Sequence, residues 1–412
     1  MSPKRSTPAA EAHDWEFKPR FRRNAFGWRS QPAIARVKQA VSEIKKVAKN
    51  EPLLGAEGAI LFLERVSPAL AHVDSSSGAI GSAVNSAIET LVPIIAKAPA
   101  DAKTRAAWLE RLFEAYQEDE IPYIEWLGDH WGALCASKSV ASAWADQLIE
   151  GVKLSWSRDE SVRGRFKGTT NCLSALIAAE RYDEVLALLE LEPYRMWHYR
   201  QFGVQALVAK GSTSEAIRYA EEGRHPSESP VAIARACESL LLSTGEVDEA
   251  YRRYGLEANQ RGTYLATFRA VSKRYPHKPS GEVLADLLQT TPGNEGKWFA
   301  AAKEAGLFDE ALALATRSPC DPMTLARAGR DHEEKRPAFA VEAGLLSLHW
   351  LLQGYGYEIT GLDVLNAYAS TMAAAERNGN AAETKDRVRA LVAAGGPGGP
   401  FVTKMLGREL GL

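Results

Sequence analysis

The sequence predicts an all-α protein, a right-handed α-solenoid of antiparallel helix pairs, and three observations carry that expectation. First, a short signature recurs as Arg181-Tyr182-Asp183-Glu184-Val185, Ser212-Thr213-Ser214-Glu215-Ala216, Glu246-Val247-Asp248-Glu249-Ala250 and Leu307-Phe308-Asp309-Glu310-Ala311. Its glutamates lie 31, 34 and 61 residues apart, the last gap being close to two units, and a weaker copy, Gly281-Glu282-Val283, falls inside that gap. A period of this length over paired apolar helices belongs to stacked helical repeats. Second, Gly211, Gly245 and Gly306 occupy equivalent points before the second helix of a pair, where a left-handed residue ends one helix and turns the chain back. Third, no segment alternates apolar and polar residues as a half-buried strand would.

The elements follow in order. Residues 1–30 lack helical periodicity, contain Pro3, Pro8 and Pro19, and read as a basic aromatic arm. From Pro32, the spacing of Ile34, Val37, Val41, Ile44 and Ala48 predicts a first long helix. A second carries Ile60, Leu61, Leu63, Val66 and Leu70. A third, after the turn at Asp74–Gly78, carries Ile80, Val84, Ile88, Leu91 and Ile95. Three further helices complete an N-terminal domain over 31–160. Repeats occupy 161–328, with first helices over 173–179, 199–209, 231–242, 264–274 and 297–305. Within them, Pro193, Pro226 and Pro319 stop second helices. Acidic residues at the start of each second helix suit its positive N-terminal dipole, and the small residues Ala216, Ala250 and Ala311 allow close helix approach. Capping helices are expected over 329–394, and the glycine- and proline-rich 395–400 opens a flexible tail over 395–412.

Composition bounds the function. The chain has 412 residues, 45% of them hydrophobic and 25% charged, which is the profile of a folded soluble protein. It shows no run of 18 apolar residues and no apolar leader at Met1-Ser2-Pro3-Lys4-Arg5, so a cytoplasmic setting without membrane insertion is expected. Cys135, Cys172, Cys237 and Cys320 are too widely spaced for a zinc knuckle or redox motif and read as buried thiols. The formal charge of −2 hides an asymmetry. Residues 1–50 hold 12 Lys and Arg against four acids, whereas the rest of the chain is net acidic. A basic head on an acidic body implies an anionic partner or docking of the arm on the body.

The run Gly306-Leu307-Phe308-Asp309-Glu310-Ala311, followed by Pro319, resembles the tetratricopeptide repeat, and Gly245–Ala250 is similar with Val247 in the aromatic place. Trp298 and Phe299 come near the Trp-x-x-Leu-Gly core of that repeat without matching it. The resemblance covers about 165–320; 31–160 resembles HEAT-like or irregular packing. The whole chain is similar to a bacterial helical-repeat protein with no assigned activity. This resemblance implies an adaptor that holds a partner peptide or helix in a concave groove.

Three segments are candidate partner-binding sites. The arm interleaves Trp15, Phe17, Phe21, Phe26 and Trp28 with Lys18, Arg20, Arg22, Arg23 and Arg29. Guanidinium groups pair with phosphates and rings stack on bases, so the arm suits single-stranded nucleic acid. Alternatively its rings pack on the body, or its cations meet an acidic protein. The stretch 252–278 holds Arg252, Arg253, Arg261, Arg269, Lys273, Arg274 and Lys278 against Glu257 alone, a net +6 that reads as a groove for an acidic ligand or as a solvated face. The inter-repeat segment with Trp197, Tyr199 and Arg200 combines binding-hot-spot residue types, which also serve in packing between repeats.

Catalytic patterns are lacking. Gly78-Ala79-Ile80-Gly81-Ser82 has no P-loop lysine, no Gly-x-Ser-x-Gly elbow occurs, and the eight histidines never pair at metal-ligand spacing. The carboxylate pairs recur once per unit, whereas catalysis needs one site. The expectation is a non-catalytic scaffold with a protein partner, no cofactor and no metal. The alternative is a nucleic-acid-associated accessory factor using the arm and the 252–278 patch.

Overall fold

A computed structural model describes residues 13–159, 161, 163–224 and 229–412. The first twelve residues of the arm, with Lys4 and Arg5, residue 160 at the expected domain border and Pro226 all lie outside the described residues. Every regular element among the described residues is helical, so the chain is all-α. It divides into two compact units, Met1–Ser229 and Pro230–Leu412, and the border falls inside 161–328, where repeats are expected.

In the first unit, Ser30–Asn50 and Pro52–Ala69 form an antiparallel pair joined by Glu51. Gly55 lets the two backbones meet, since a Cβ there would stand 2.4 Å from the Ala48 Cα. Ala79–Lys97 packs on both helices, and Ala102–Gln117 covers Pro52–Ala69. By length and hydropathy alone Ala79–Lys97 is long and apolar enough to cross a membrane, which corrects the expectation that no such segment exists. Its apolar stripe, Ile80, Val84, Ile88, Leu91 and Ile95, is nonetheless buried in the protein core. Trp131–Cys135 and Lys138–Ser155 then pack against Thr169–Ala178, followed by Tyr182–Leu189, Trp197–Ala209 and Thr213–Glu222.

The arm is not an appendage from residue 13 onward. Trp15, Phe17 and Phe21 are buried, with Phe17 and Phe21 edge-on to Phe62 at 5.8 and 5.1 Å. The Glu43 carboxylate accepts from the amides of Glu16 (2.7 Å) and Phe17 (3.2 Å), and the Asn24 amide donates to the Pro68 carbonyl at 2.9 Å. Aromatic burial offsets the backbone ordering, and the carboxylate satisfies amides that no helix could.

In the second unit, Pro230–Ser243 pairs with a helix that runs Val247–Ala250, a π-helical turn at Tyr251–Gly255, and Leu256–Ala258. Next come Tyr264–Arg274 with Ser280–Gln289, and then Glu295–Trp298 and Phe299–Glu304 with Phe308–Arg317. Pro322–His332, Pro337–Leu352, Gly361–Asn378 and Ala381–Ala394 complete the main packing. The expected flexible tail is instead a helix, Gly399–Leu410, that buries Val402, Leu406 and Leu410 and accepts Arg389 Nε on the Leu410 carbonyl at 3.1 Å. The glycines before it serve close approach: Gly396 takes φ 152° and a Cβ there would stand 2.4 Å from the Leu352 carbonyl oxygen.

The signature closes four helices in one way. Gly211, Gly245 and Gly306 have φ between 79° and 84°, and Glu180 occupies the same place at φ 59°. The next amide, of Ser212, Glu246, Leu307 or Arg181, bonds five residues back to the carbonyl of Leu207, Leu241, Ala302 or Leu176. This is the Schellman closure. Ala216, Ala250 and Ala311 are fully buried, which agrees with their reading as close-packing positions, and the larger Val185, which departs from that pattern, is fully buried as well. Gly281 differs: it lies inside Ser280–Gln289 with no left-handed turn, and Pro279 opens that helix instead.

Glu180 alone among the four carries a side chain in the left-handed region. That conformation costs a non-glycine residue about 1–2 kcal/mol, glycine's extra unfolded-state entropy returns about 0.5–1, and the exposed Lys138 ion pair lost is worth little. Glu180→Gly is therefore expected to stabilise the first unit by about 0.5–1 kcal/mol, read as a higher urea midpoint at unchanged slope.

Candidate partner-binding clefts

Two clefts of about 520 and 530 Å³ adjoin in the second unit and share Thr263 and Tyr264 as a common lip. Both have the size of small-ligand or peptide side-chain pockets. The first lies between the π-helical turn and the entry to Tyr264–Arg274, with Leu287, Thr290, Thr291 and Trp298 on its far wall. The second is lined by the first helices of successive pairs: Leu265 and Arg269, then Phe299, Lys303 and Glu304, then Thr324 and Arg327.

The π-helical turn is built into the core. Glu238, itself buried, accepts from Asn259 Nδ2 at 2.6 Å and from the Tyr275 hydroxyl at 2.7 Å, while Asn259 also donates to the Gly255 carbonyl at 2.9 Å. Gly255 has no room for a side chain, because a Cβ would stand 2.9 Å from the Tyr275 ring. Burial, reinforced by the Glu238 carboxylate, holds the Tyr275 phenol above its ordinary range, so it stays a donor. Such π-turns widen a helix locally and often mark functional sites. Here the turn sets Arg252, Arg253 and Leu256 along one cleft wall.

On the opposite wall, Tyr264 and Trp298 meet edge to face at 4.8 Å, and Trp298 Nε1 donates to Thr291 Oγ1 at 2.8 Å. Thr263 caps the Tyr264–Arg274 helix, accepting from the Ala266 amide at 3.2 Å. Lys297 stands 5.7 Å from the centre of the Tyr264 ring. The rings are thus fixed before any ligand arrives, which lowers the ordering cost of binding.

The tertiary structure neutralises most of the 252–278 charge. Arg252 and Arg253 both reach Glu249, and Arg253 also donates to the Tyr254 hydroxyl at 2.7 Å. Arg269 forms a two-point pair with Glu304, whose carboxyl is held below its ordinary range by those hydrogen bonds. Arg274 lies 3.8 Å from Glu238, and Lys278 pairs with Glu282 at 2.8 Å. All four of these acids lie outside the window that counts as net +6. Lys273 is exposed and lines neither cleft. Among the described residues, no carboxylate comes within ion-pair distance of Arg261, Lys297, Lys303 or Arg327. Three of these four cleft cations (Lys297, Lys303 and Arg327) lie outside 252–278, where a window count does not see them.

The other expected site residues scatter over the first unit. Trp15 is fully buried and has no surface to offer a partner, which corrects its place among the contact residues. Arg20 is exposed and shares the Gln39 amide oxygen with Arg36. Arg22, Arg23 and Trp28 are exposed, and Arg23 borders a small acidic recess with Glu64, Glu118 and Asp119. Arg200 is buried, donates to the Tyr219 carbonyl and stacks on the Tyr219 ring at 3.8 Å, so it packs rather than contacts a partner. Tyr199 is half-buried against Trp156 at 5.2 Å, and Trp197 is half-buried beside it. Among the described residues the four cysteines form no disulfide and are buried; burial pushes the thiols of Cys135, Cys172 and Cys320 up to about 12, so these three are inert at neutral pH.

No protein-family model matches the chain, and no curated protein matches it significantly.

Proposed function

We propose that the protein is a TPR-like α-solenoid scaffold of the cytoplasm, non-catalytic, that binds an acidic segment of a protein partner along the two adjoining clefts of its second unit. The carrying observation is the set of cations without a carboxylate partner beside the preset rings of Tyr264 and Trp298. Arg261 lies in the loop before Tyr264–Arg274, Lys297 and Lys303 on consecutive turns over Glu295–Trp298 and Phe299–Glu304, and Arg327 on Pro322–His332. Cations spaced along a groove, three of them exposed and Lys303 half-buried, favour an extended anionic chain over a compact ligand, and the rings supply apolar area for an interleaved side chain. The four identical helix closures support the repeat reading.

A fourfold charge reversal, R261E/K297E/K303E/R327E, tests this reading. These side chains make no carboxylate pair, so the melting temperature is expected to hold. Affinity for a fluorescein-labelled Glu- and Asp-rich peptide, read by anisotropy, is expected to fall tenfold or more, about 1.4 kcal/mol. In parallel, the protein partner captured by the unmodified chain should be absent with the variant. Equal peptide affinity in both proteins overturns the assignment of the clefts.

A further inference from the structure

The Ser30–Asn50 helix carries Arg36, Lys38, Lys45, Lys46 and Lys49, all exposed, against one acid, Glu43. That acid is half-buried, and its two oxygens hold the amides of Glu16 and Phe17. Unlike the 252–278 stretch, the cations of this helix therefore receive no neutralising carboxylate from the fold, and in the adjoining segment Glu16 lies 3.8 Å from Arg20. Among the described residues, none comes within ion-pair distance of Lys38, Lys45, Lys46 or Lys49, nor of Arg22 and Arg29 beside the helix.

Helix geometry arranges these charges. At 100° per residue, Lys38, Lys45 and Lys49 fall within about 40° of one another and form a row spanning roughly 16 Å of the axis. The apolar stripe of the helix, Ala33, Ile34, Val37, Ala40 and Ile44, is used up in the core of the unit. Arg20 reaches over the helix to share the Gln39 oxygen with Arg36, so the cations of residues 13–29 adjoin those of the helix. At the N-terminal end stands Trp28. Its backbone is fixed by the Asp74 amide donating to its carbonyl at 2.9 Å, yet its ring is 72% exposed.

We propose that this face binds single-stranded nucleic acid, with backbone phosphates along Lys38, Lys45 and Lys49 and an unpaired base on the Trp28 ring. Lysine is depleted in protein–protein interfaces, whereas it is a common phosphate contact, and an isolated ring backed by cations is the element on which single strands stack. A helix that inserts into a membrane interface needs an apolar face toward lipid, and this helix buries that face in the core. The inference rests on the first unit and is independent of the clefts in the second.

The test uses the full chain and a fluorescein-labelled oligothymidylate of about twenty nucleotides, read by anisotropy between about 50 and 200 mM salt. Binding is expected at low salt, with log K falling linearly against log salt by about 0.7 per phosphate contacted. K38Q/K45Q/K49Q should shallow that slope by about 2, and Trp28→Ala should weaken binding by roughly tenfold at unchanged slope. Circular dichroism checks that both variants keep their fold, as their exposed positions lead one to expect. Absence of an anisotropy change at low salt overturns the proposal. So does a slope that the triple variant leaves unchanged, or lysine-dependent binding to phosphatidylserine vesicles without binding to the oligonucleotide.

Discussion

Arg111→Ala is expected to lower the stability of the first unit by about 3–5 kcal/mol. Arg111 joins two acids: its Nη1 donates to Glu57, and its Nε and Nη2 form a two-point pair with Glu64 at 2.7 Å each. Glu57 is buried in the Pro52–Ala69 helix and also accepts from Trp108 Nε1. Removal of the guanidinium strands the Glu57 carboxylate in a low-dielectric site with one neutral donor. The cost comes from that uncompensated charge rather than from the value of the pair, and the control follows from this. Glu57→Gln combined with Arg111→Met removes both charges and keeps an acceptor for Trp108, so the double variant should recover more than half of the loss. Urea denaturation followed by tryptophan fluorescence reads both. A single variant within 1 kcal/mol of the unmodified protein sinks this account.

Trp15→Ala is expected to cost about 3–5 kcal/mol, as for large-to-small changes in packed cores. The indole lies on Gly58, where a Cβ would stand 2.2 Å from the ring, and beside Phe17 at 5.4 Å between ring centres. No main-chain shift fills the space, because Glu43 and Pro68 hold the segment on either side. Trp15→Phe should cost far less, about 1–2 kcal/mol, since it keeps a ring in place and removes an indole N–H that has no partner. If Trp15→Ala leaves the melting temperature unchanged, residues 13–29 are not part of the core and the arm reading returns.

The helices were legible because their cause is local. Apolar residues at spacings of three and four put Ser30–Asn50, Pro52–Ala69 and Ala79–Lys97 close to where the periodicity places them. Glycines at a fixed offset before the signature mark the left-handed closures, since only a residue without Cβ enters that region freely. The failures share another cause. Residues 13–29 and 395–410 have proline and glycine but no period, so they read as an arm and a tail. The structure docks the first on Phe62 and Gly58 and folds most of the second into a helix on the core. In both, the contacts that impose order come from residues distant in the chain.

The candidate sites divide in the same way. A count over 252–278 registers seven cations and one acid, but ion pairing depends on distance in space, and Glu249, Glu304, Glu238 and Glu282 arrive from other turns and helices. The cleft cations Lys297, Lys303 and Arg327 belong to no charged run and left no signal in the sequence. Trp15 and Trp28 are one residue type in one short segment, yet one is sealed in the core and the other stands in solvent.

By itself, then, the sequence determined the all-helical class, the order of the helices, the glycine closures of three of them and the surplus of positive charge at the N-terminal end. Helix propensity, apolar period and backbone strain are properties of neighbours along the chain, so they can be read there. Only the tertiary structure decided which charges stay unpaired, which aromatic rings remain exposed, and where two clefts open. Those outcomes are set by desolvation and Coulomb interaction between groups that meet only when the helices pack.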